Sequence, residues 1–177
     1  MQILLIRHGE SEDDFLDEDY TGSTDLPLTS RGVEQVERMA QRVCAELPPD
    51  LIWSSTLIRA RQAADLLSKT TGCSVTYIDD LKEKQEDESK TDFRMRGEKI
   101  LSSIRELGKN SIRVAVVSHG GMITQIIEGF LELPLVNTVW FHSDNTGIHL
   151  LEYTRNGQLI RFTNCTAHLK NNEQLSE

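Results

Sequence analysis

The sequence predicts an α/β fold, a three-layer α/β/α sandwich whose central sheet is mostly parallel and carries an antiparallel edge strand or hairpin. Short apolar runs of strand length alternate along the chain with longer segments whose apolar residues recur at helical spacing. Such alternation is typical of a parallel sheet with helices on both faces. Late in the chain, two strand-like runs are joined at Asn156-Gly157, a dipeptide that favours a tight hairpin turn.

The first half of the chain predicts strands and helices in alternation. The opening apolar run is too short for a core helix and is followed by Gly9, which indicates a strand. An acidic run over residues 10–19 predicts a loop or irregular helix, and Thr29 or Ser30 is a suitable N-cap for the first long helix. The predicted order is strand 3–6, a helix from about residue 30 to Pro48-Pro49, strand 51–53, helix 57–69 and strand 75–78.

The second half continues the alternation and then changes to a hairpin. Its pattern predicts a charged loop over 79–88, a helix over 89–107, a strand over 113–117, a helix over 122–130 and two strands within 147–164. We expect a single domain over residues 1–168, followed by a polar tail from 169 to 177.

Composition and charge argue against two classes of partner, nucleic acids and membranes. The chain has 177 residues and a net charge of −9, which argues against a nucleic-acid partner because phosphate backbones need a basic face. No apolar run approaches the roughly 20 residues of a membrane span, so no membrane partner is expected. Three isolated cysteines, with no secretion signal ahead of the first strand, lead us to expect a cytoplasmic protein.

Two of the predicted strands end in the same way. Arg7-His8-Gly9 follows the first strand, and Ser118-His119-Gly120 follows the strand over 113–117. Parallel neighbours would bring both histidines to the carboxyl edge of the sheet, where ligands bind in open α/β folds. The strand over 51–53 leads into a helix that carries Arg59. Guanidinium forks bind phosphate and a neutral imidazole is a nucleophile near pH 7, so this edge predicts a phosphate site.

Taken together, these motifs resemble the histidine phosphatase superfamily, also called phosphoglycerate mutase-like, and within it a short form of the phosphatase branch. The first motif of that family matches Arg7-His8-Gly9-Glu10-Ser11. The remaining motifs follow in family order over nearly the whole chain: Asp25-Leu26-Pro27-Leu28-Thr29 with Gly32 and Gln35, Ser54-Ser55, Arg59-Ala60-x-Gln62-Ala63-Ala64, Val117-Ser118-His119-Gly120-Gly121 and Asn145-Thr146-Gly147. The ordered set is specific, although any one motif alone is a weak signal.

The resemblance implies a role for each motif residue. His8 would attack phosphorus and become a phosphohistidine, with His119 as a second catalytic residue. Arg7, Arg59 and His119, together with Gly120, would bind the phosphoryl oxygens. Fixed cations and donors suit this task because a transferring phosphoryl group spreads its charge over its equatorial oxygens. Flanking arginines would also keep the His8 ring neutral by lowering its pKa. No metal or other cofactor is expected.

Two residues are alternatives for the proton donor to the leaving group. Family members often place a glutamate after the third strand, and the matching residue is Glu83 in Asp80-Leu81-Lys82-Glu83. The glycine and Trp-Glu-Gly that usually follow are replaced by Lys84-Gln85-Glu86-Asp87, which makes Glu86 a rival general acid. The insertion that normally covers the site is also missing.

Two further positions bear on substrate binding. Many relatives carry an asparagine where this chain has Asp14, and a carboxylate there would repel phosphate unless it is turned away or paired. Thr21 and Gly22 resemble the substrate-contacting Thr-Gly pair of the mutases.

We therefore expect a metal-independent phosphomonoester hydrolase, because a site without a cover admits water. The expected partner is a phosphorylated small molecule, and a phosphoprotein is a second candidate because an open site admits large substrates. One alternative is a phosphoglycerate mutase-type phosphoryl transferase, which must keep water away from the phosphoenzyme. Another is a non-catalytic phosphate-binding protein, which could dispense with a nucleophile. The natural substrate and the oligomeric state are not predicted.

Overall fold

A computed structural model describes residues 1–16, 24–107 and 113–170. The long elements in chain order are β1 (Gln2–Arg7), α1 (Ser30–Glu46), β2 (Leu51–Ser55), α2 (Ile58–Thr71), β3 (Val75–Ile78), α3 (Lys90–Leu107), β4 (Arg113–Ser118), α4 (Gly120–Phe130), β5 (Ile148–Thr154) and β6 (Gly157–Cys165). Short 3-10 turns lie at Glu12–Phe15, Asp79–Leu81 and Ala167–Leu169.

The strands form one six-stranded sheet in the order β3-β2-β4-β1-β5-β6. The first four strands of the chain pair in parallel, while β5 is antiparallel to β1 and to β6. The predicted α/β class and its antiparallel edge hairpin are therefore confirmed. Among the described residues, no helix combines the length and the apolar character that crossing a membrane requires.

Alternate residues of β1 supply the two cores of the sandwich. Ile3 and Leu5 lie in the cluster formed with α3 and α4, whereas Leu4 and Ile6 lie in the cluster formed with α1 and α2. All four side chains are fully buried. Burying one such side chain contributes roughly 1.5–3 kcal/mol, so this strand is anchored from both faces.

Most element ends lie within a few residues of their predicted positions. Thr29 caps α1 by accepting a hydrogen bond from Gly32 N (2.9 Å), and Gly72, with φ of 73°, ends α2 in the left-handed conformation. Helix α4 begins at Gly120, two residues before the predicted start. The difference arises because the carbonyl of His119 already accepts the hydrogen bond of Ile123 N (2.9 Å), which makes His119 the N-cap.

Two glycines allow the segment after β1 to pack tightly against the start of α1. A Cβ atom on Gly32 would lie 1.9 Å from the carbonyl oxygen of Glu10, and one on Gly9 would lie 2.4 Å from the carbonyl oxygen of Gly32. Both contacts are to backbone atoms, which cannot move aside as a flexible side chain can. The backbone next to His8 is therefore held against the first turn of α1.

Candidate active site

The carboxyl ends of three parallel strands position the predicted site residues. Because Arg7 on β1 is in register with Ser118 on β4, the residues that follow them, His8 and His119, come together with ring centroids 5.1 Å apart. Strand β2 lies on the other side of β4, and the helix that follows it carries Arg59 in its first turn. The sheet thus brings these four predicted side chains to one edge.

We call His8, His119 and Arg59 the floor of the site, because they are 4%, 1% and 7% exposed. The Nδ1–H group of His8 donates to the carbonyl oxygen of Gly9 (2.7 Å), which leaves Nε2 as the unprotonated ring nitrogen. Nε2 accepts a hydrogen bond from Nε of Arg59 (3.2 Å). The lone pair of His8 is therefore held facing a guanidinium, where an anion would bind.

Burial keeps both imidazoles neutral. Burial, opposed by the hydrogen bond to Gly9 and reinforced by the charges of Arg59 and Arg7, lowers the pKa of His8 to about 3. Burial also holds the pKa of His119 well below its usual value of 6.5, and the neighbouring His8, Arg59 and Arg7 act in the same direction. Near pH 7 the His8 ring is thus unprotonated at Nε2, the form required of a nucleophile.

Two buried nitrogens at this edge lack hydrogen-bond partners among the described residues. They are Nε of Arg7 and Nδ1 of His119. The other ring nitrogen of His119 contacts the hydroxyl of Ser55 (2.9 Å). Leaving a buried polar group without a partner costs roughly 1–3 kcal/mol, which a bound ligand with acceptor oxygens would recover. The site therefore suits an anion such as a phosphoryl group.

Each of the two arginines is paired with a carboxylate from the turn Glu12–Phe15. Nη2 of Arg7 lies 3.4 Å from Asp14 Oδ1, and Nη1 of Arg59 lies 2.7 Å from Asp13 Oδ2. Asp14 also accepts hydrogen bonds from Ser11 N (3.0 Å) and from the side-chain amide of Asn145 (3.1 Å). The unusual carboxylate at position 14 is thus paired.

Sequence reasoning missed the contact between Asp13 and Arg59, because Asp13 is one of several acids in an unpatterned run. Burial raises the pKa of Asp13, although Arg59 acts in the opposite direction. This carboxyl group contacts the same guanidinium as His8, so its charge acts on Arg59 and on His8 together.

The side chain of Glu83, from the loop after β3, contacts the first turn of α4. Its Oε2 accepts a hydrogen bond from Gly121 N (2.8 Å) and its Oε1 accepts one from Lys84 N (2.9 Å). A Cβ atom on Gly121 would lie only 2.2 Å from Oε1 of Glu83, so the glycine provides room for this carboxylate. Glu86 lies further along the same loop and is exposed.

Arg96 on α3 holds the loop that carries Glu83. It donates to the carbonyl oxygens of Asp80 (2.8 Å) and Lys82 (2.9 Å), and its guanidinium also pairs with the carboxylate of Glu88. The hydrogen bond from Arg96 lowers the pKa of Glu88. Sequence reasoning missed Arg96 because it belongs to no motif and acts on backbone atoms.

A cavity of about 530 Å³ opens next to the floor, where Arg7, Glu83 and Gly120 line it. We call its outer lining the rim: Lys84, Lys90, Phe93, Leu135, Val139 and Trp140. Trp140 is 66% exposed and Leu135 is 59% exposed. The segment 131–147 that carries them is held by hydrogen bonds from Arg94 to the carbonyl of Leu133 (3.0 Å) and from Thr124 to that of Phe141 (3.1 Å).

Two predicted residues are not placed by the structure. Thr21 and Gly22 lie outside the described residues, and so does part of the acidic run. Within the described ranges, no group of three or more His, Cys, Asp and Glu side chains is arranged to hold a metal ion.

The fold and this edge define an open α/β protein of the phosphoglycerate mutase-like class, with a buried imidazole and guanidinium site at the carboxyl ends of β1, β2 and β4. The family model described as histidine phosphatase superfamily (branch 1) matches residues 3–86 and 82–166. The chain belongs to that superfamily, as the sequence motifs predicted.

The chain is similar to proteins named as mutases and to proteins named as phosphatases. A protein of Escherichia coli named as a probable phosphoglycerate mutase, GpmB, is 28% identical over 167 residues, which cover 76% of each chain. The structure of phosphoserine phosphatase from Entamoeba histolytica in complex with 3-phosphoglyceric acid is 26% identical, with a TM-score of 0.81 over 96% of this chain and 99% of that one.

A more distant structure supports the fold. Mycobacterial glucosyl-3-phosphoglycerate phosphatase in complex with VO3 is 20% identical, with a TM-score of 0.80 over 93% of this chain and 99% of that one. The structural neighbours named here are phosphatases.

Proposed function

We propose that this protein is a phosphomonoester hydrolase that works without a metal, through a phosphohistidine formed on Nε2 of His8. One observation carries the proposal. The hydrogen bond from His8 Nδ1 to the carbonyl oxygen of Gly9 fixes the tautomer, and burial keeps the ring neutral. A nucleophile with its lone pair held beside Arg59 is what attack on a bound phosphoryl group requires.

Substrate binding would replace contacts that the floor makes to itself. The phosphoryl oxygens would take the hydrogen bonds of the free Arg7 Nε and His119 Nδ1, and Arg59 would turn its donor from His8 Nε2 to an oxygen. The N-terminus of α4 at Gly120 adds the positive end of a helix dipole. Charge that develops on the equatorial oxygens is then stabilised by groups already in place.

The chemistry proceeds in two displacements. In the first, the Nε2 lone pair of His8 forms the N–P bond as the ester P–O bond breaks, and protonated Glu83 gives its proton to the leaving oxygen. In the second, a water molecule gives a proton to the Glu83 carboxylate and attacks phosphorus. The N–P bond then breaks and its electron pair returns to His8, releasing inorganic phosphate. One carboxyl group serves as acid and then as base.

The position of Glu83 favours it over Glu86 as the proton donor. Glu83 lines the cavity together with Arg7 and Gly120, which also belong to the phosphate site. Glu86 is exposed on the loop beyond it. A proton donor has to reach the leaving oxygen, so this position supports Glu83 as the donor.

The proposed substrate is a phosphorylated small molecule and the proposed compartment is the cytoplasm, where the three free thiols of the chain would stay reduced. The name of the Escherichia coli relative makes phosphoglycerate mutase activity the second candidate. Exposed rim residues such as Trp140 and Leu135 favour hydrolysis, because a mutase must keep water from its phosphoenzyme.

The decisive experiment compares wild-type protein with His8→Ala on para-nitrophenyl phosphate. We expect turnover by the wild type and a loss of about 10³-fold or more in kcat for the variant, because the nucleophile is removed. Rapid quenching in alkali followed by mass spectrometry should find one added phosphoryl group on the peptide that contains His8.

His142→Ala is the matched control, since this histidine side chain is 70% exposed and lies outside the floor. It should retain wild-type turnover. The hydrolase proposal is overturned if wild type and His8→Ala give the same rate. Conversion of 3-phosphoglycerate to 2-phosphoglycerate faster than phosphate release would establish the mutase instead.

A further inference from the structure

The lining of the cavity beside the floor combines two chemically different groups of side chains. Leu135, Val139 and Trp140, from the segment between α4 and β5, and Phe93 of α3 form the apolar part, which we call the apolar wall. Lys84 and Lys90 form the cationic part, and Lys90 lies one turn before Phe93 on α3. Apolar walls with a few placed polar groups are typical of sites for small organic ligands.

The exposure of the apolar wall suggests that a ligand covers it. Trp140, Leu135 and Val139 are 66%, 59% and 45% exposed and line one cavity, and a contiguous exposed apolar patch is typical of a binding surface. They are nevertheless held in place, because Thr124 bonds to the carbonyl of Phe141 and the buried pair of Arg94 and Glu128 sits under the turn at Leu133. These apolar side chains are therefore held in position before a ligand binds.

The two lysines of the lining are not paired with a carboxylate of the described residues. Nζ of Lys84 donates a hydrogen bond to the carbonyl oxygen of Gln85 (3.4 Å), and neither Lys84 nor Lys90 forms a salt bridge with a described residue. Glu128 is paired with Arg94 at 2.7 Å, and Glu83 accepts backbone hydrogen bonds. A second anionic group on the substrate would therefore find cations at the rim.

The cavity is continuous with the phosphate site. Arg7 and Gly120, which we propose to bind the phosphoryl group, also line the cavity, so a phosphoryl group on the floor directs the rest of its ester into this space. The cavity volume of about 530 Å³ is large enough for a ring-sized group. A compact three-carbon alcohol would leave the apolar wall exposed to water.

We propose that the preferred substrate is a phosphomonoester whose alcohol carries a ring-sized apolar body and an anionic substituent, with Trp140 and Lys90 as specificity-determining residues. This inference rests on the hydrolase proposed above. Covering Trp140 and its neighbours contributes binding to the ester, and the carboxylate or similar group pairs with the lysines.

The test uses esters with leaving groups of similar basicity. We would measure kcat/KM for 2-phenylethyl phosphate, its ring-carboxylated analogue and glycerol 3-phosphate, because all three leave as alkoxides. The expected order is carboxylated ring, plain ring, then glycerol ester, with about tenfold between the first and the last.

Two variants test the apolar and the cationic residues of the lining separately. Trp140→Ala should lower kcat/KM about tenfold for both ring esters, chiefly through KM, and leave the glycerol ester unchanged. Lys90→Ala should lower it about threefold for the carboxylated ester alone, and added salt should reduce that difference. Val136→Ala is the matched control, because Val136 lies on the same segment, is 94% exposed and is not part of the cavity lining.

The outcomes separate this inference from the hydrolase proposal. Equal kcat/KM values for the three esters, or equal losses in Trp140→Ala and Val136→Ala, overturn the substrate class while the hydrolase stands. If no ester is hydrolysed, the hydrolase proposal fails, and calorimetric titration of His8→Ala with the same esters decides the substrate class alone. Tighter binding of the carboxylated ring ester supports it, and equal binding of all three rejects it.

Discussion

The floor and the rim of the site are built in opposite ways. His8 and His119 follow adjacent strands of the sheet, are at most 4% exposed, and have neighbours that hold them in one arrangement. Leu135 and Trp140 lie on a segment without regular structure and are more than half exposed. The difference separates two tasks in the proposed enzyme: the sheet fixes the atoms that would react with phosphorus, and the loops would select the alcohol to which the phosphoryl group is attached.

Glu83 lines the cavity between the two regions, and its substitution is expected to have the largest effect among the variants that follow. Glu83→Gln keeps the shape of the side chain but cannot give or take the proton, so kcat on an alkyl phosphate should fall about 10²–10³-fold. The fall should be smaller on para-nitrophenyl phosphate, whose leaving group needs no proton. Steady-state kinetics on both substrates measures the two effects.

Glu86→Gln is the matched variant, because it makes the same change on the same loop at an exposed position. It should retain nearly all activity. A large loss in Glu86→Gln with none in Glu83→Gln would transfer the acid role to Glu86.

A carboxylate of the turn Glu12–Phe15 offers a second test of the comparison between floor and rim. Its removal is expected to change the inhibition constant of phosphate several-fold. Asp14→Asn removes the negative charge that faces Arg7 at 3.4 Å, so the floor should bind dianions better. We expect the inhibition constant of inorganic phosphate to fall about 2–5-fold, because a partly exposed ion pair is worth at most about 1 kcal/mol.

Glu12→Gln serves as the control for Asp14→Asn, since the residue is exposed on the same turn and the change in net charge is identical. It should change phosphate inhibition little, and less still in added salt. If both variants shift inhibition equally, the effect belongs to the overall field of the protein and the contact with Arg7 contributes nothing.

The buried histidines make the folded protein less stable in acid, an effect on stability rather than on activity. Burial lowers the pKa of His8 to about 3 and those of His149 and His168 to about 4. Between pH 6.5 and 5 the unfolded chain therefore binds protons that the folded chain does not. The free energy of unfolding should fall as pH decreases, by up to about 1.4 kcal/mol per pH unit for each histidine.

Urea denaturation at several pH values measures this slope. His8→Asn should flatten it, because the variant has no imidazole to protonate at that position, whereas the exposed His142→Ala should not change it. An unchanged slope in His8→Asn would mean that His8 is solvated in the folded protein.

The floor was predictable from the sequence because sheets follow simple rules. The apolar run before Arg7 and the one before Ser118 indicate buried strands, and parallel pairing places the residues that follow them at one edge. The arginine of the helix after β2 follows from the same geometry. The family motifs then distinguish His8 from a structural histidine.

The rim was not predictable in the same way. The position of Trp140 depends on the contact of Thr124 with a carbonyl and on a buried pair between Arg94 and Glu128, which are 34 residues apart. Neither contact leaves a periodic pattern. The partners of Asp13 and Asp14 were equally hidden, because a run of acids does not say which of them faces an arginine.

Strand β1 lies inside the sheet, hydrogen-bonded to β4 on one edge and to β5 on the other. Redesign of the surroundings of His8 would therefore disturb the whole scaffold. Residues 134–140 interrupt no strand of the sheet. A protein engineer who wished to retarget this molecule could exchange that stretch and keep Ser143, Thr146 and Gly147, whose backbones hydrogen-bond to Arg7 or His8.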